Sequence, residues 1–147
     1  MSTPFENIIS GVWPGRFVWA DDTCCAFSTI EPIAPGHTLL VPRVAYAKWT
    51  DAPEDVALHL MRVARIIGLA QEKAFDVPRS GLMIAGFEVP HTHLHVIPMR
   101  SEEDIRFANA KPGVDEEMDA SMTAIRQELQ NEGWGEFVPK DLRSAEL

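Results

Sequence analysis

A chain of 147 residues suits one domain around one apolar core, and 46% hydrophobic with 24% charged residues is ordinary for a globular fold. The formal net charge of −9 excludes broad nucleic-acid binding, which needs clustered Lys and Arg, but leaves room for a small phosphorylated ligand in a locally positive pocket. No apolar run nears the ~20 residues a membrane span needs, and MSTPFENIIS lacks the basic start and apolar stretch of a signal peptide, so a cytoplasmic protein without membrane partners is expected.

In chain order, Phe5 to Ser10 reads as a short helix, broken by Gly11, Pro14 and Gly15. Phe17 to Trp19 and Thr23 to Ser28 are β-rich runs separated by the turn pair Asp21-Asp22. Cys24 and Cys25 are adjacent, so on a strand they point to opposite faces and form neither a disulfide nor a metal finger. They read as reduced strand residues, one of them buried. Pro32-Ile33-Ala34-Pro35-Gly36 is a rigid loop that leads directly into an apolar strand from His37 to Pro42.

Residues 53 to 75 carry the clearest helical pattern. Pro53, Glu54 and Asp55 suit a helix start, where negative charge meets the positive end of the helix dipole. Val56, Leu60, Val63 and Ile67 recur at spacings of three and four and form one stripe. Pro78 and Ser80-Gly81 end the unit, and strands are expected over Leu82 to Ala85 and His91 to Pro98. Beyond Arg100 the chain turns polar; Met118, Met122, Ile125 and Leu129 mark a helix over Asp115 to Asn131, with Gly133 just past it. Lys140 to Leu147 read as a disordered tail. Strands outnumber helices and hairpin-like links dominate, so the expected class is α+β with an antiparallel sheet. The expected organisation is a single domain over 1–147, with a core from about residue 4 to 100 and a C-terminal extension over 101–147.

The most informative stretch is His91-Thr92-His93-Leu94-His95-Val96-Ile97-Pro98. On a strand, residues two apart share a face, which would line up three imidazoles roughly 6 to 7 Å apart while Thr92, Leu94 and Val96 face the core. Imidazole serves as nucleophile, base or hydrogen-bond donor near neutral pH. A row of them can hold a phosphate while one attacks phosphorus, and neighbouring rings discourage one another from protonating. His37 could reach the same face. Three buried histidines on an apolar strand would each need a hydrogen-bond partner, which argues against a purely structural role. The competing reading is a metal, because H-x-H is also a zinc-ligand spacing, with Glu88 the one nearby carboxylate. His59, on the long helix, reads as solvated.

The stretch HTHLHVIP resembles the signature of the histidine triad (HIT) family, with Thr92 in place of the usual apolar residue. ADDTCCAF followed by APGHTLLVP is similar to the family's strand-loop-strand upstream, so the resemblance covers about the first 100 residues. It implies a HIT-like fold: a five-stranded antiparallel sheet, one long helix and a shorter C-terminal helix, in a homodimer joined across its sheets. It implies that His93 attacks the α-phosphorus of a nucleotide derivative and forms a covalent nucleotidyl-histidine, which water releases as a nucleoside monophosphate. His91 and His95 would orient it and bind phosphate oxygens, His37 would complete the network, and no cofactor is called for.

Departures from the family pattern bear on substrate. Thr3 and Glu6 stand where many bacterial members carry C-x-x-C for a structural zinc, so no such zinc is expected. Thr29 stands where an aspartate usually grips the ribose diol. The loop before the triad is shortened to Gly86-Phe87-Glu88-Val89-Pro90, where Glu88 could repel a polyphosphate or attract a cationic leaving amine. Phe5, Ile8, Ile9 and Trp13 are placed to build the base pocket. The expected substrate is therefore a purine nucleotide derivative, a nucleoside phosphoramidate or adenylated amine. The alternatives are a dinucleoside polyphosphate hydrolase or nucleotidyl transferase of the same family, and a non-catalytic nucleotide- or metal-binding protein.

Overall fold

The computed structural model describes all 147 residues. Five strands form one antiparallel sheet in the order β1-β2-β3-β5-β4: β1 Phe17–Ala20, β2 Cys24–Ser28, β3 Thr38–Pro42, β4 Arg79–Ile84 and β5 Leu94–Met99. Three α-helices accompany it: α1 Pro4–Ile9, α2 Glu54–Phe75 and α3 Asp115–Asn131. This is the five-stranded α+β arrangement expected from the sequence.

The sheet separates two apolar clusters. On one side α2 lays Leu60, Val63 and Ile67 against Val18, Cys24, Leu40, Leu94 and Val96. Met122, Ile125 and Leu129 of α3 enter that same cluster, so residues beyond Arg100 supply part of the main core. On the other side Phe5, Phe17, Cys25, Phe27, Leu39 and Val41 form a smaller cluster under α1. Cys24 and Cys25 thus lie on opposite faces as strand geometry requires, and both are buried rather than one.

Three expectations need correction. Ser80 and Gly81 sit inside β4 instead of ending the helical unit: Ser80 Oγ bonds the Gly68 carbonyl, and a Cβ at Gly81 would collide with Met99 Sδ. The residues are small because β4 packs closely on α2 and β5. The C-terminal tail is ordered. Phe17 N–H donates to the Leu142 carbonyl at 2.7 Å, Arg143 pairs with Asp119, and Ala145 packs on the smaller cluster. The triad strand begins at Leu94, so His91, Thr92 and His93 approach it as irregular chain.

Candidate active site

The β2–β3 loop and the approach to β5 bring four histidines together on the α1 side of the sheet. β3 and β5 are paired, with Leu39 opposite His95, which sets His37 beside the triad. His91 and His37 are 0% and 2% exposed, and His93 and His95 are 8% exposed each. Thr92, Leu94 and Val96 are buried, and the last two join the α2-side core, as alternation requires. His93 and His95 rings have centroids 5.0 Å apart, and His37 lies 5.1 Å from His95.

Hydrogen-bond partners assign each ring its proton. A carbonyl oxygen can only accept and a backbone N–H can only donate. His91 Nε2 faces the Pro42 carbonyl at 2.7 Å and must carry the proton, so its Nδ1 accepts from Thr3 Oγ1 at 2.7 Å. Both His91 nitrogens are therefore occupied, and the ring is not free to hold phosphate oxygens. Its contribution is its own carbonyl, which accepts from His93 Nδ1 at 2.7 Å and leaves the His93 Nε2 lone pair unprotonated. On the other flank the Ile33 N–H donates to His37 Nδ1 at 3.0 Å. His37 Nε2 then donates to His95 Nδ1 at 2.9 Å, and His95 presents Nε2–H outward. The site thus offers one nucleophilic nitrogen beside one N–H donor.

The electrostatics agree with neutral rings. Burial lowers the pKa of His37 to about 3, helped by repulsion from His95 and His93. Burial, with repulsion from His93, lowers His95 to about 4. Burial also lowers His91 and His93, against opposing pulls from the Pro42 carbonyl and Glu6 on His91 and from the His91 carbonyl and Glu88 on His93.

The remaining candidates divide. Phe5 packs edge-on against His93 and His91, with centroids 4.9 and 5.6 Å away. Ile8 packs in the adjoining cluster, where its Cγ2 closes over Gly15. Trp13 is 47% exposed and makes no ring contact with the histidines. Thr29 Oγ1 accepts from the Glu31 amide within its own turn. Glu88 is exposed next to a fully exposed Phe87, yet its charge reaches His93. His59 is not merely solvated: its Nε2 lies 2.7 Å from Asp21 Oδ2.

Sequence reasoning missed Thr3 as the partner of His91 and Phe107, whose ring stands edge-on to His95 at 5.4 Å. Thr3-Pro4-Phe5-Glu6 is a capping box, with Thr3 Oγ1 accepting from the Glu6 amide and Glu6 bonding back to Thr3 N–H. That pattern marks the start of α1 but not its partner 88 residues away. The metal reading of the triad loses ground because His91 has no free nitrogen. No helix is long and apolar enough to cross a membrane.

Comparison with known proteins identifies the family and the fold. The HIT domain family model matches residues 10–102. An uncharacterized HIT-like protein of Saccharolobus solfataricus is 36% identical over 104 residues, covering 67% of this chain and 75% of its own. An adenylylsulfatase of Arabidopsis thaliana is 30% identical over 110 residues, and an adenosine 5'-monophosphoramidase of Saccharomyces cerevisiae is 35% identical over 79. They match 71% and 53% of this chain, which spans only 55% and 50% of their lengths. Among solved structures, a HIT-like protein from Bartonella henselae superposes with a TM-score of 0.75 at 27% identity, over 87% of this chain and 96% of that one. With the family model matching more than half of its length and the fold shared, this chain belongs to the HIT domain family.

Proposed function

We propose that the protein is a hydrolase that cleaves the α-phosphate bond of a nucleoside phosphoramidate or adenylated amine through a covalent nucleotidyl-histidine at His93. The observation that carries this reading is the unprotonated His93 Nε2, held by the Nδ1–H bond to the His91 carbonyl. In the first step the Nε2 lone pair forms a bond to the α-phosphorus while the bond to nitrogen breaks. The amine departs as a neutral molecule from its N-protonated form, so no ring need surrender a proton. The exposed Glu88 carboxylate favours that cationic nitrogen. His95 Nε2–H bonds a phosphoryl oxygen as charge develops there. Water then attacks the phosphorus, the phosphorus–Nε2 bond breaks with its electron pair returning to His93, and the water's proton leaves to solvent with the nucleoside monophosphate. Phe5 supplies an aromatic edge for a purine base, with Ile8, Trp13 and Thr29 as the further candidate contacts.

The relatives that carry names support a nucleotide-derivative substrate, since one is an adenylylsulfatase and another an adenosine 5'-monophosphoramidase. Two unbridged cysteines fit a reducing, cytoplasmic setting. A homodimer is part of the proposal. Strand β4 is a sheet edge, and Leu82 upon it together with Leu58, Met61 and Leu69 of α2 leaves large apolar side chains in water.

The deciding experiment is intact-protein mass spectrometry after brief mixing with an adenosine phosphoramidate, quenched without acid. The expected result is an added AMP mass mapped to His93 and absent in His93→Ala. Absence of both the adduct and released AMP after long incubation would overturn the proposal.

A further inference from the structure

The β1–β2 turn, on the side of the sheet away from the triad, holds a second group of reactive side chains that the chemistry above does not use. Asp21 Oδ1 accepts the backbone N–H groups of Thr23 and Cys24, each at 2.8 Å. That grip turns Oδ2 toward α2, where three groups converge on one oxygen: Trp19 Nε1 at 2.8 Å, His59 Nε2 at 2.7 Å and Cys24 Sγ at 3.6 Å. The carboxylate oxygen, the thiol sulfur and the imidazole nitrogen all lie within 4.8 Å of one another. They come from the β1–β2 turn, the start of β2 and the second turn of α2, elements that only the folded chain brings together. A cavity of about 220 Å³, lined by Asp21, Asp22 and His59 among others, reaches the carboxylate and the imidazole, with Cys24 buried behind them.

We propose that Asp21, Cys24 and His59 form a binding site for a zinc-class divalent cation, with water from the cavity at the fourth position. The donor set is the mixed sulfur, nitrogen and oxygen kind that borderline-soft cations take. Zinc–sulfur and zinc–oxygen bonds of about 2.3 and 2.0 Å in a tetrahedron separate the two ligands by roughly 3.5 Å, and the pair stands at 3.6 Å here. Zinc–nitrogen and zinc–oxygen bonds in the same tetrahedron separate their ligands by roughly 3.3 Å, so the His59 nitrogen, 2.7 Å from Oδ2, moves outward on binding, and its side chain on α2 is 31% exposed and faces the space for that shift. The cation takes the Cys24 sulfur as thiolate, releasing that proton to solvent. It takes the His59 Nε2 lone pair with the ring proton on Nδ1, and Asp21 Oδ2 as carboxylate. Two positive charges then meet one carboxylate and one thiolate, so the partly buried site ends neutral. Trp19 and the two backbone amides remain on Asp21 as the outer contacts that aim it.

The test is titration of the reduced, full-length protein with cobalt(II), whose bond to thiolate gives a near-ultraviolet charge-transfer band and whose tetrahedral sites give intense visible bands. The expected result is one equivalent per chain carrying both signatures, bleached when zinc is added. Cys24→Ser should abolish the thiolate band, and His59→Gln should weaken binding at least about tenfold. Cys25→Ala and His93→Ala should retain the bands, which separates this site from the other thiol and from the triad. His59→Gln alters a partly exposed side chain, so the inference stays testable if Cys24→Ser fails to fold. Absence of a thiolate band in excess cobalt, or its survival in Cys24→Ser, would mean that the cluster is only a hydrogen-bonded pin between the β1–β2 turn and α2.

Discussion

His37 Nε2 lies 2.9 Å from His95 Nδ1, and the Ile33 amide on the opposite side of the His37 ring dictates that His37 is the donor. Two consequences follow for pH. The folded pKa values, about 3 for His37 and about 4 for His95, lie below the unfolded value of about 6.5. Below pH 6.5 the unfolded chain therefore binds protons that the folded chain refuses. Stability is fully present above that pH and falls as the pH drops, by roughly 1.4 kcal/mol per unit for each ring until its folded pKa is reached. Urea denaturation at pH 7 and pH 5 should show a clear fall in midpoint. The acid limb of kcat/KM should likewise lie below 6.5, because burial also lowers His93 and keeps its lone pair available. An acid limb above 6.5 would mean that the rings are solvated.

In the proposed reaction His95 offers its Nε2–H to the phosphoryl oxygen, and losing one such donor typically costs 10²–10³ in kcat. His95→Ala should show a drop on the order of a hundredfold with the nucleotidyl adduct still detectable. His93→Ala should show no adduct at all. Rapid-quench kinetics on the two variants separates the roles; equal loss of adduct in both would place the nucleophile in doubt.

Thr3 Oγ1 is the partner of His91 Nδ1, a nitrogen within a fully buried ring. Replacing the hydroxyl by a methyl leaves that acceptor without a donor, which costs about 1–3 kcal/mol. Thr3→Val should lower Tm accordingly, and it also removes the cap of α1. Thr3→Ser should restore both. If Val and Ser behave alike in thermal denaturation, the bond contributes nothing.

The sequence made some of these relationships visible and concealed others. The α2 and α3 stripes were legible because an apolar period of three and four survives whatever the helix packs on. The triad was legible from alternation alone, even though the strand itself starts only at Leu94. Nothing local announces that Thr3 serves His91, that Asp21 meets His59 across 38 residues, or that Phe107 covers His95. Such contacts depend on which faces the finished sheet brings together. The polar tail was misread for the same reason. Arg143 looks solvated until Asp119 of α3 is placed beside it.

Gly36 immediately precedes His37 with φ near +90°, a conformation that residues with a Cβ rarely adopt. A Cβ there would also strike the Phe75 ring at the end of α2. Its carbonyl is held by Gln71 Nε2 at 3.0 Å, so the loop, α2 and the His37 ring are positioned together. Gly36→Ala should cost about 1–3 kcal/mol and reduce activity by moving His37 off His95. An unchanged Tm would show that the loop relaxes without cost.

The proposed dimer makes the last prediction. A free edge such as β4 exposes unpaired backbone groups and invites pairing with a second strand. Leu82 is 38% exposed on that edge and Met61 of α2 is 56% exposed. Apolar side chains left out in this way suit a surface that a second copy covers. Sedimentation at micromolar concentration should give about twice the 16.4 kDa chain mass. Leu82→Glu combined with Met61→Glu places two like charges per chain in that surface and should return the mass of one chain with the fold intact by circular dichroism. A wild-type mass near one chain would remove the dimer from the proposal while leaving the His93 chemistry, which lies within a single chain, to stand on its own test.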